Sequence, residues 1–415
     1  MDLALTDEQA MIRDAAADVL AERSASADVR RAIEHAAGRD DALWGALAGE
    51  LGWNALSLPE ATGGMGLGAL EQMLLMEQLG RRVACVPYFS TACLAATALA
   101  GCADTAAAAG WLAKIAEGAC SATLSLPFEL PAGSWQLPVV AEEAAGGYAL
   151  SGAIEQVIDG ARADLLLIPA RVANEGQAIG LFAIDVATAA GLNVTPLDTL
   201  DATRPIARVA FDETRVSRDA LFASGAVAAQ LLDRAAWFAA LALAAEQLGG
   251  AQHCLDLTLD YTGQRVQFGR AIASFQAVKH RCAQMMVLIE SARSAVLGAA
   301  HAWDAEAGGG APGAALRADV AAAKTAANDA YAFCAQEAIQ LHGGVGFTWE
   351  YDPHLYFKRA QASGAQFGST PQLLEWIARQ AIDGGASQHD AVLASASPSA
   401  SIATRPSAAR TGARQ

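Results

Sequence analysis

The chain has 415 residues, of which 53% are hydrophobic and 17% are charged, and its formal net charge is -16. A chain of this length predicts about two to three domains, and the apolar content predicts a large area buried in the core or at an oligomer interface. The negative charge disfavours nucleic acid and anionic membranes as partners.

The first block, residues 1–118, has a helical pattern. Thr6 precedes Asp7, Glu8 and Gln9, an arrangement that resembles a capping box and predicts the start of a helix. Residues 51–68 form a glycine-rich break. Its glycines fit no G-x-G-x-x-G fingerprint and have no strand–turn–helix context, so a Rossmann site is not predicted. We expect this block to be an N-terminal helical domain.

The second block, residues 119–225, is predicted to be a β domain. Short runs rich in strand formers alternate with turn formers such as Gly146-Gly147 and Asp159-Gly160. Six such runs favour a small barrel or sandwich. They cover residues 121–128, 137–143, 148–158, 163–172, 180–186 and 207–213.

The third block, residues 226–385, is again helical and nearly free of proline. Glycine-rich breaks are predicted at residues 308–310, 343–344 and 364–371. The last segment, residues 386–415, is rich in Ala, Ser and Arg and is predicted to be a disordered tail. The fold class expected from these blocks is mainly α with a β middle domain.

The seven cysteines and seven histidines are scattered, and no C-x-x-C is present. This pattern indicates reduced thiols, and no metal site is predicted. No apolar run free of charges and breakers reaches the ~18 residues of a membrane span. The N-terminal sequence is acidic and amphipathic, unlike a signal peptide. We therefore expect a cytoplasmic protein with no membrane partner.

Two long segments carry a family resemblance. YTGQRVQFGRAIASFQAVKHRCAQM (261–285) and QLHGGVGFTWEYDPHLYFKR (340–359) resemble the C-terminal domain of the acyl-CoA dehydrogenase family, and SLPEATGGMGLG (57–68) and FDETRV (211–216) also match the family. The resemblance covers nearly everything except the tail. It implies an N-terminal helical domain, a central β-barrel or sandwich and a C-terminal four-helix bundle.

The resemblance also implies the cofactor and the partners. Family members use FAD to oxidise the Cα–Cβ bond of an acyl-CoA thioester, and electron-transfer flavoprotein is the expected electron acceptor. One flavin is shared by two chains, so a homo-oligomer or a hetero-oligomer with a second dehydrogenase chain is expected.

Several residues match the positions that hold FAD in the family. Arg265 offers a permanently charged, forked donor set for the diphosphate, and Phe268-Gly269 is expected to end its helix with an apolar plate. Gly343 and Gly344 allow a backbone to approach a ligand closely. In the family the Arg and Phe reach the FAD of the neighbouring subunit, and the Gln-x-x-Gly-Gly stretch lines its adenosine end. The positions that carry these roles here are Arg265, Phe268, Gln276, Gln340, Gly343 and Gly344.

The chain differs from the family at the positions where a catalytic base is expected. Many members have a Glu nine residues after the Arg that matches Arg359, and that position is Gly368 in this chain. Other members place the base on the preceding long helix, at a position that is Ala239 here. The flavin-contacting Thr and Gln that follow the usual Glu are retained as Thr370 and Gln372.

Glu246 is the nearest acid on the face of Ala239, two helical turns further along. It is the candidate base of this chain, although it is displaced by roughly 10 Å along the helix axis. The competing interpretation is a helix acid paired with an arginine or with a neighbouring subunit.

The middle domain departs as well. The family commonly has Thr-Glu-Pro against the flavin and substrate, and this chain has Ser125-Leu126-Pro127. Ser125 keeps a hydroxyl that could bond the flavin, whereas Leu126 lacks the charge.

Four functions remain open from the sequence. The first is an acyl-CoA dehydrogenase with a displaced base. The second is a base-lacking subunit of a heteromeric dehydrogenase, of the steroid side-chain type, that completes its partner's FAD site through Arg265 and Phe268. The third is a related flavin enzyme that needs no α-proton abstraction. The fourth is a binding protein on this fold.

Overall fold

The structure is a computed structural model that describes residues 3–130, 137–173, 178–306, 308 and 310–395. For residues 383–395 it describes the backbone only. The chain divides into two compact units, residues 1–374 and 375–415. The first unit contains an N-terminal helical segment, a middle β segment and a C-terminal helical segment, which is the order expected from the sequence. Helix α11 (Thr370–Ser395) extends past residue 386, where the predicted tail begins, and residues 396–415 lie outside the described part.

The N-terminal segment is helical. Thr6 Oγ1 accepts a hydrogen bond from the N–H of Gln9, and the Gln9 side chain accepts one from the N–H of Thr6, so the predicted capping box is confirmed. Two π-helical stretches, Gly45–Glu50 and Phe89–Ala95, extend this segment. Its helices are α1 (Asp7–Arg23), α2 (Ser26–His35), α3 (Asp41–Trp44), α4 (Ala69–Arg81), α5 (Ala96–Ala100) and α6 (Ala106–Ala116).

The middle segment forms one eight-stranded sheet in the order β6-β7-β3-β2-β4-β5-β8, with β1 parallel to β4. All six predicted runs contain a strand. The short strands β6 and β8 were missed; β6 is largely exposed and contains Pro196, a residue that disfavours a strand assignment, and β8 has only four residues. The strands are β1 (Ala122–Leu124), β2 (Val140–Ala144), β3 (Gly147–Ile158), β4 (Leu165–Val172), β5 (Ala178–Asp185), β6 (Leu192–Leu197), β7 (Ile206–Ser217) and β8 (Leu221–Ser224).

The C-terminal segment is built on a long central helix, α7 (Gly225–Gln264). A small hairpin, β9 (Val266–Gln267) and β10 (Arg270–Ala271), links it to α8 (Gln276–Ala305), followed by α9 (Ala314–His342) and α10 (Pro353–Ala365). The helix ends agree with the predicted glycine-rich breaks. One expectation was wrong: α7 ends at Gln264, and Phe268-Gly269 form the turn of the hairpin because both residues have positive φ angles.

The small residues of α7 allow its backbone to touch α4 and α9. A Cβ on Gly249 would lie 1.8 Å from the carbonyl oxygen of Glu77, and one on Gly80 would lie 2.0 Å from that of Glu246. A Cβ on Gly250 would lie 2.4 Å from the ring of Tyr331. These positions therefore serve close helix packing. Helix α7 is also long and apolar enough to cross a membrane, but 67% of its apolar window is buried within the protein.

Candidate functional site

The two long sequence motifs meet at one end of the C-terminal helices. The ring of Tyr261, near the end of α7, stacks on His342 at the end of α9, with the ring centroids 4.3 Å apart. Tyr261 lies four residues before Arg265, and His342 immediately precedes Gly343. The stacking therefore holds the cationic candidate and the glycine pair at the same end of the bundle.

The residues at this end are open to a ligand. Arg265 is exposed, and its guanidinium makes no hydrogen bond or ion pair within the part of the chain that the structure describes. Gln340, Gly343 and Gly344 are also exposed, and a Cβ built on either glycine would meet no atom within 4 Å. A free guanidinium and an open backbone at the same end of the bundle fit the diphosphate and adenosine end of a dinucleotide.

Phe268 is the most exposed large hydrophobic side chain among the described residues, at 91%. Its φ of 54° is rare for a bulky residue and costs about 1–3 kcal/mol. The turn therefore presents a largely exposed aromatic ring, which touches Phe275 edge-on with the ring centroids 6.1 Å apart. Such exposure suits a residue that reaches a neighbouring subunit. Gln276, the first residue of α8, is exposed as well.

Ser125 belongs to a separate group of candidate residues, at the edge of the β domain. It is buried, and its N–H donates to the carbonyl of Leu167 at 3.0 Å. It lines a largely apolar cavity of ≈ 260 Å³ together with Leu126, Phe128, Ile154 and Gln156. An apolar cavity with a few polar groups suits a flat heteroaromatic ring.

Gly368, at the position of the usual base, has a backbone conformation that favours glycine. Gly368 has a φ of 102°, which L-residues rarely adopt, and a Cβ there would lie 2.8 Å from Cδ2 of Leu373. The N–H of Gly368 donates to the carbonyl of Phe128 at 3.2 Å, so this backbone is tied to the β domain. The alternative base position, Ala239, is fully buried. A glutamate at Gly368 would require the loop to change conformation.

Three aromatic rings fill the space next to Gly368. The ring of Phe367 packs against Phe89 and Phe128, with centroids 5.9 and 5.8 Å away. Phe367 and Phe89 are almost completely buried. The immediate surroundings of the base position are thus occupied by side chains of this chain itself.

Glu246 lies in a buried ion-pair network. Its Oε1 accepts from Nη1 of Arg359 at 2.8 Å, and its Oε2 accepts from Nη2 of Arg204. Burial opposes ionisation of the carboxyl, but the two guanidiniums outweigh burial and lower the pKa of Glu246. A carboxylate with both oxygens bound and a lowered pKa is a poor proton acceptor. The geometry therefore favours the ion-pair interpretation of Glu246 over the role of base.

The network extends to the β domain. Nε of Arg359 donates to Asp201 at 2.6 Å, and its Nη2 donates to Thr203 at 2.6 Å. Burial disfavours the charged form of Arg359, but Asp201 and Glu246 outweigh it and raise the pKa of this guanidinium. The network therefore joins residues of α7, α10 and the segment between β6 and β7.

The two other residues that match flavin contacts are bonded within the chain. The hydroxyl of Thr370 donates to Asp329 at 3.0 Å. The side-chain oxygen of Gln372 accepts from the N–H of Ser369 at 3.1 Å and from its hydroxyl at 2.8 Å. Both side chains lie just after Gly368 in the sequence, and neither lines the cavity of Ser125.

Sequence reasoning missed a second buried polar cluster, formed by Gln247, Lys324, Asn328 and Ser363. A lysine amid the apolar residues of α9 was the one available signal. The described residues contain no group of three His, Cys, Asp or Glu placed to hold a metal ion.

Family models of known proteins match both helical segments of the chain. The family model of the acyl-CoA dehydrogenase N-terminal domain matches residues 6–119, and that of the C-terminal domain matches residues 231–382. The acyl-CoA dehydrogenase IpdE2 of Mycobacterium tuberculosis is 33% identical over 89% of this chain and 95% of its own length.

Two solved structures with similar folds are assemblies named for two chains. The ChsE4–ChsE5 complex from Mycobacterium tuberculosis has a TM-score of 0.79 and 28% identity, over 92% of this chain and 99% of the other. A variant of the Tcur3481–Tcur3483 steroid ACAD has a TM-score of 0.77 and 29% identity, again over 92% and 99%. This chain belongs to the acyl-CoA dehydrogenase family of oxidoreductases, which act on CH–CH bonds.

Proposed function

We propose that this chain is the base-lacking subunit of a heteromeric, FAD-dependent acyl-CoA dehydrogenase. The observation that carries the proposal is the conformation of Gly368. The usual base position has a strained backbone conformation that disfavours a glutamate, while the exposed residues that match FAD contacts are retained. The chain has therefore kept the residues suited to binding and lost the residue suited to proton abstraction.

Each retained residue has a role that its surroundings support. Arg265 neutralises part of the diphosphate charge, and Gly343 and Gly344 let the adenosine end lie against the backbone. Phe268 presents its ring to the partner chain. When bound, FAD accepts the hydride that leaves the β-carbon of the acyl-CoA as the α-proton is removed, so that a Cα–Cβ double bond forms.

The α-proton must then pass to a carboxylate of the second chain. Glu246 does not fill this role, because both of its oxygens are held by arginines. The aromatic rings of Phe89, Phe128 and Phe367 also leave little room for a thioester next to Gly368. These contacts favour a division of labour between two unlike chains over an enzyme with a displaced base.

The nature of the substrate and of the partners is part of the proposal. Similarity to the ChsE4–ChsE5 complex and to a steroid ACAD supports a second dehydrogenase chain and a ring-bearing, steroid-derived acyl-CoA. Electron-transfer flavoprotein is the proposed electron acceptor, and the cytoplasm is the proposed location.

The proposal is tested by expressing the chain alone and together with a second dehydrogenase chain that has an intact base. We expect the chain alone to be folded but nearly colourless, and the pair to hold stoichiometric FAD and to oxidise a steroid-derived thioester. Replacing the partner's glutamate with glutamine should abolish turnover without loss of flavin. Stoichiometric flavin and thioester oxidation by the chain alone would falsify the proposal.

A further inference from the structure

A buried polar cluster lies behind the loop that carries Gly368. Lys324 is completely buried, and its Nζ donates to Oδ1 of Asn328 at 2.6 Å and to the carbonyl of Ser363 at 3.1 Å. Nε2 of Gln247 also donates to Oδ1 of Asn328, at 2.8 Å. Two donors on one oxygen leave only one orientation for the amide of Asn328.

That orientation aims the amide nitrogen at the loop. Nδ2 of Asn328 donates to the carbonyl of Gly368 at 3.2 Å. The backbone N–H of Gly368 donates to the carbonyl of Phe128 in the β domain. The backbone of Gly368 is therefore bonded on one side to α9 and on the other to the segment that lines the cavity of Ser125.

We propose that Asn328, oriented by Lys324 and Gln247, is a positioning residue that fixes the loop at Gly368 and so sets the distance between the helices and the flavin side of the β domain. The inference rests on the proposed function, because it assumes that FAD lies against Ser125. It also assigns a role to Lys324, whose burial without such a role would only destabilise the protein. Burial lowers the pKa of Lys324 to about 7, with Glu246 opposing this shift, and either protonation state can donate to Asn328.

The loop itself is tested in the FAD-free chain by hydrogen exchange of peptides that cover residues 366–373. Asn328→Asp keeps the acceptor for Lys324 and Gln247 but removes the donor to Gly368, so we expect faster exchange of this loop. The matched control is Asn193→Asp, which makes the same chemical change at an exposed side chain that donates to the carbonyl of Gly191. Unchanged exchange in a folded Asn328→Asp variant would overturn the inference.

The link to flavin is tested by titrating FAD into the heteromer and recording the visible flavin spectrum. Loss of one hydrogen bond predicts about a fivefold weaker FAD affinity and an altered band shape for Asn328→Asp. Faster loop exchange with unchanged affinity and spectrum would overturn the positioning role while leaving the proposed function intact. A wild-type heteromer that binds no FAD would instead refute the proposed function, and the exchange data would still decide whether Asn328 holds the loop.

A second pair of variants covers the case in which Asn328→Asp does not fold. Lys324→Met removes one of the two donors to Asn328, and Lys324→Gln keeps an N–H donor on a side chain that is one bond shorter. We expect Lys324→Met to speed exchange of the loop and Lys324→Gln to restore part of the protection. Equal exchange in both variants would show that the donor does not orient Asn328.

Discussion

Oε1 of Glu246 lies 2.8 Å from Nη1 of Arg359, and both side chains are almost completely shielded from solvent. The pair joins α7 to α10, and Arg204 binds the second oxygen of the same carboxylate. Removing one member of such a network leaves the others charged and buried. The energetic role of Glu246 is therefore to neutralise two guanidiniums in the interior.

The first prediction concerns the replacement Glu246→Gln. We expect it to lower the free energy of unfolding by about 3–5 kcal/mol, because Arg204 and Arg359 lose their shared carboxylate. Urea unfolding measures the change. Glu155→Gln is the control, since Glu155 forms an exposed pair with Arg208 and should change stability by no more than about 1 kcal/mol. Wild-type stability with complete loss of turnover in the heteromer would instead identify Glu246 as the base.

A second prediction concerns Gly368→Ala. The φ of 102° and the contact with Leu373 should make this substitution destabilising by about 1–3 kcal/mol, measured by chemical denaturation. Gly364→Ala is the control on helix α10, where a Cβ would meet only Oδ1 of Asn328 at 4.0 Å and alanine favours the helix. Similar stability of the two variants would show that the loop adapts easily and that a glutamate could be placed there.

Arg265→Ala is expected to weaken FAD binding by the heteromer about tenfold to a hundredfold, because a charge-assisted hydrogen bond contributes about 1.5–3 kcal/mol. Flavin content after dialysis and an FAD titration give the measurement. Arg23→Ala, which removes a guanidinium from an exposed pair with Glu50 in the N-terminal segment, should leave binding unchanged. Equal FAD affinity in the two variants would exclude Arg265 from the flavin site.

Gly249→Ala is expected to destabilise the fold much more than a glycine-to-alanine substitution elsewhere on α7. The added methyl would lie 1.8 Å from a backbone oxygen of α4, so the two helices must separate. We expect a loss of at least about 3 kcal/mol or failure to fold. Gly263→Ala lies on the same helix with no atom within 4 Å of the new methyl, and it should be neutral or stabilising. A soluble Gly249→Ala protein with an unchanged melting temperature would contradict the packing described for α4 and α7.

The stability of the protein should depend on pH through Lys324. Its pKa is about 7 when folded and 10.5 in the reference state, so the unfolded chain binds more protons between these values and stability rises with pH. The slope is at most about 1.4 kcal/mol per pH unit for one group. Above pH 9 the raised pKa values of buried cysteines such as Cys93 oppose the rise, because unfolded thiols ionise first.

Urea unfolding at pH 7 and pH 8.5 provides the test. Lys324→Met should flatten the difference between the two pH values, whereas Lys279→Met at an exposed position should not. The same pH dependence in wild type and Lys324→Met would mean that Lys324 is not the titrating group.

Much of the fold follows from patterns local to the sequence. Thr6 and Gln9 cap a helix because they are three residues apart, and the predicted strands follow from short β-rich runs between turn formers. The partners of Glu246 could not be predicted, because Arg204 and Arg359 lie 42 and 113 residues away and are brought together only by packing of three segments.

The sequence alone predicts that the usual base is absent, because the position nine residues after Arg359 is Gly368. Its positive φ and its bonds to Phe128 and Asn328 depend on contacts between the β domain and the helices, which no local pattern encodes. The same holds for the hairpin at Phe268, where the sequence suggested only a helix end.

The contact between α4 and α7 limits how this protein can move. At Gly80 and Gly249 the main chains of the two helices touch, and main-chain atoms cannot yield by changing rotamer as side chains do. Sliding of one helix along the other would drive carbonyl oxygens into the opposite backbone. Breathing motions that admit a ligand must therefore open along other boundaries than the one between α4 and α7.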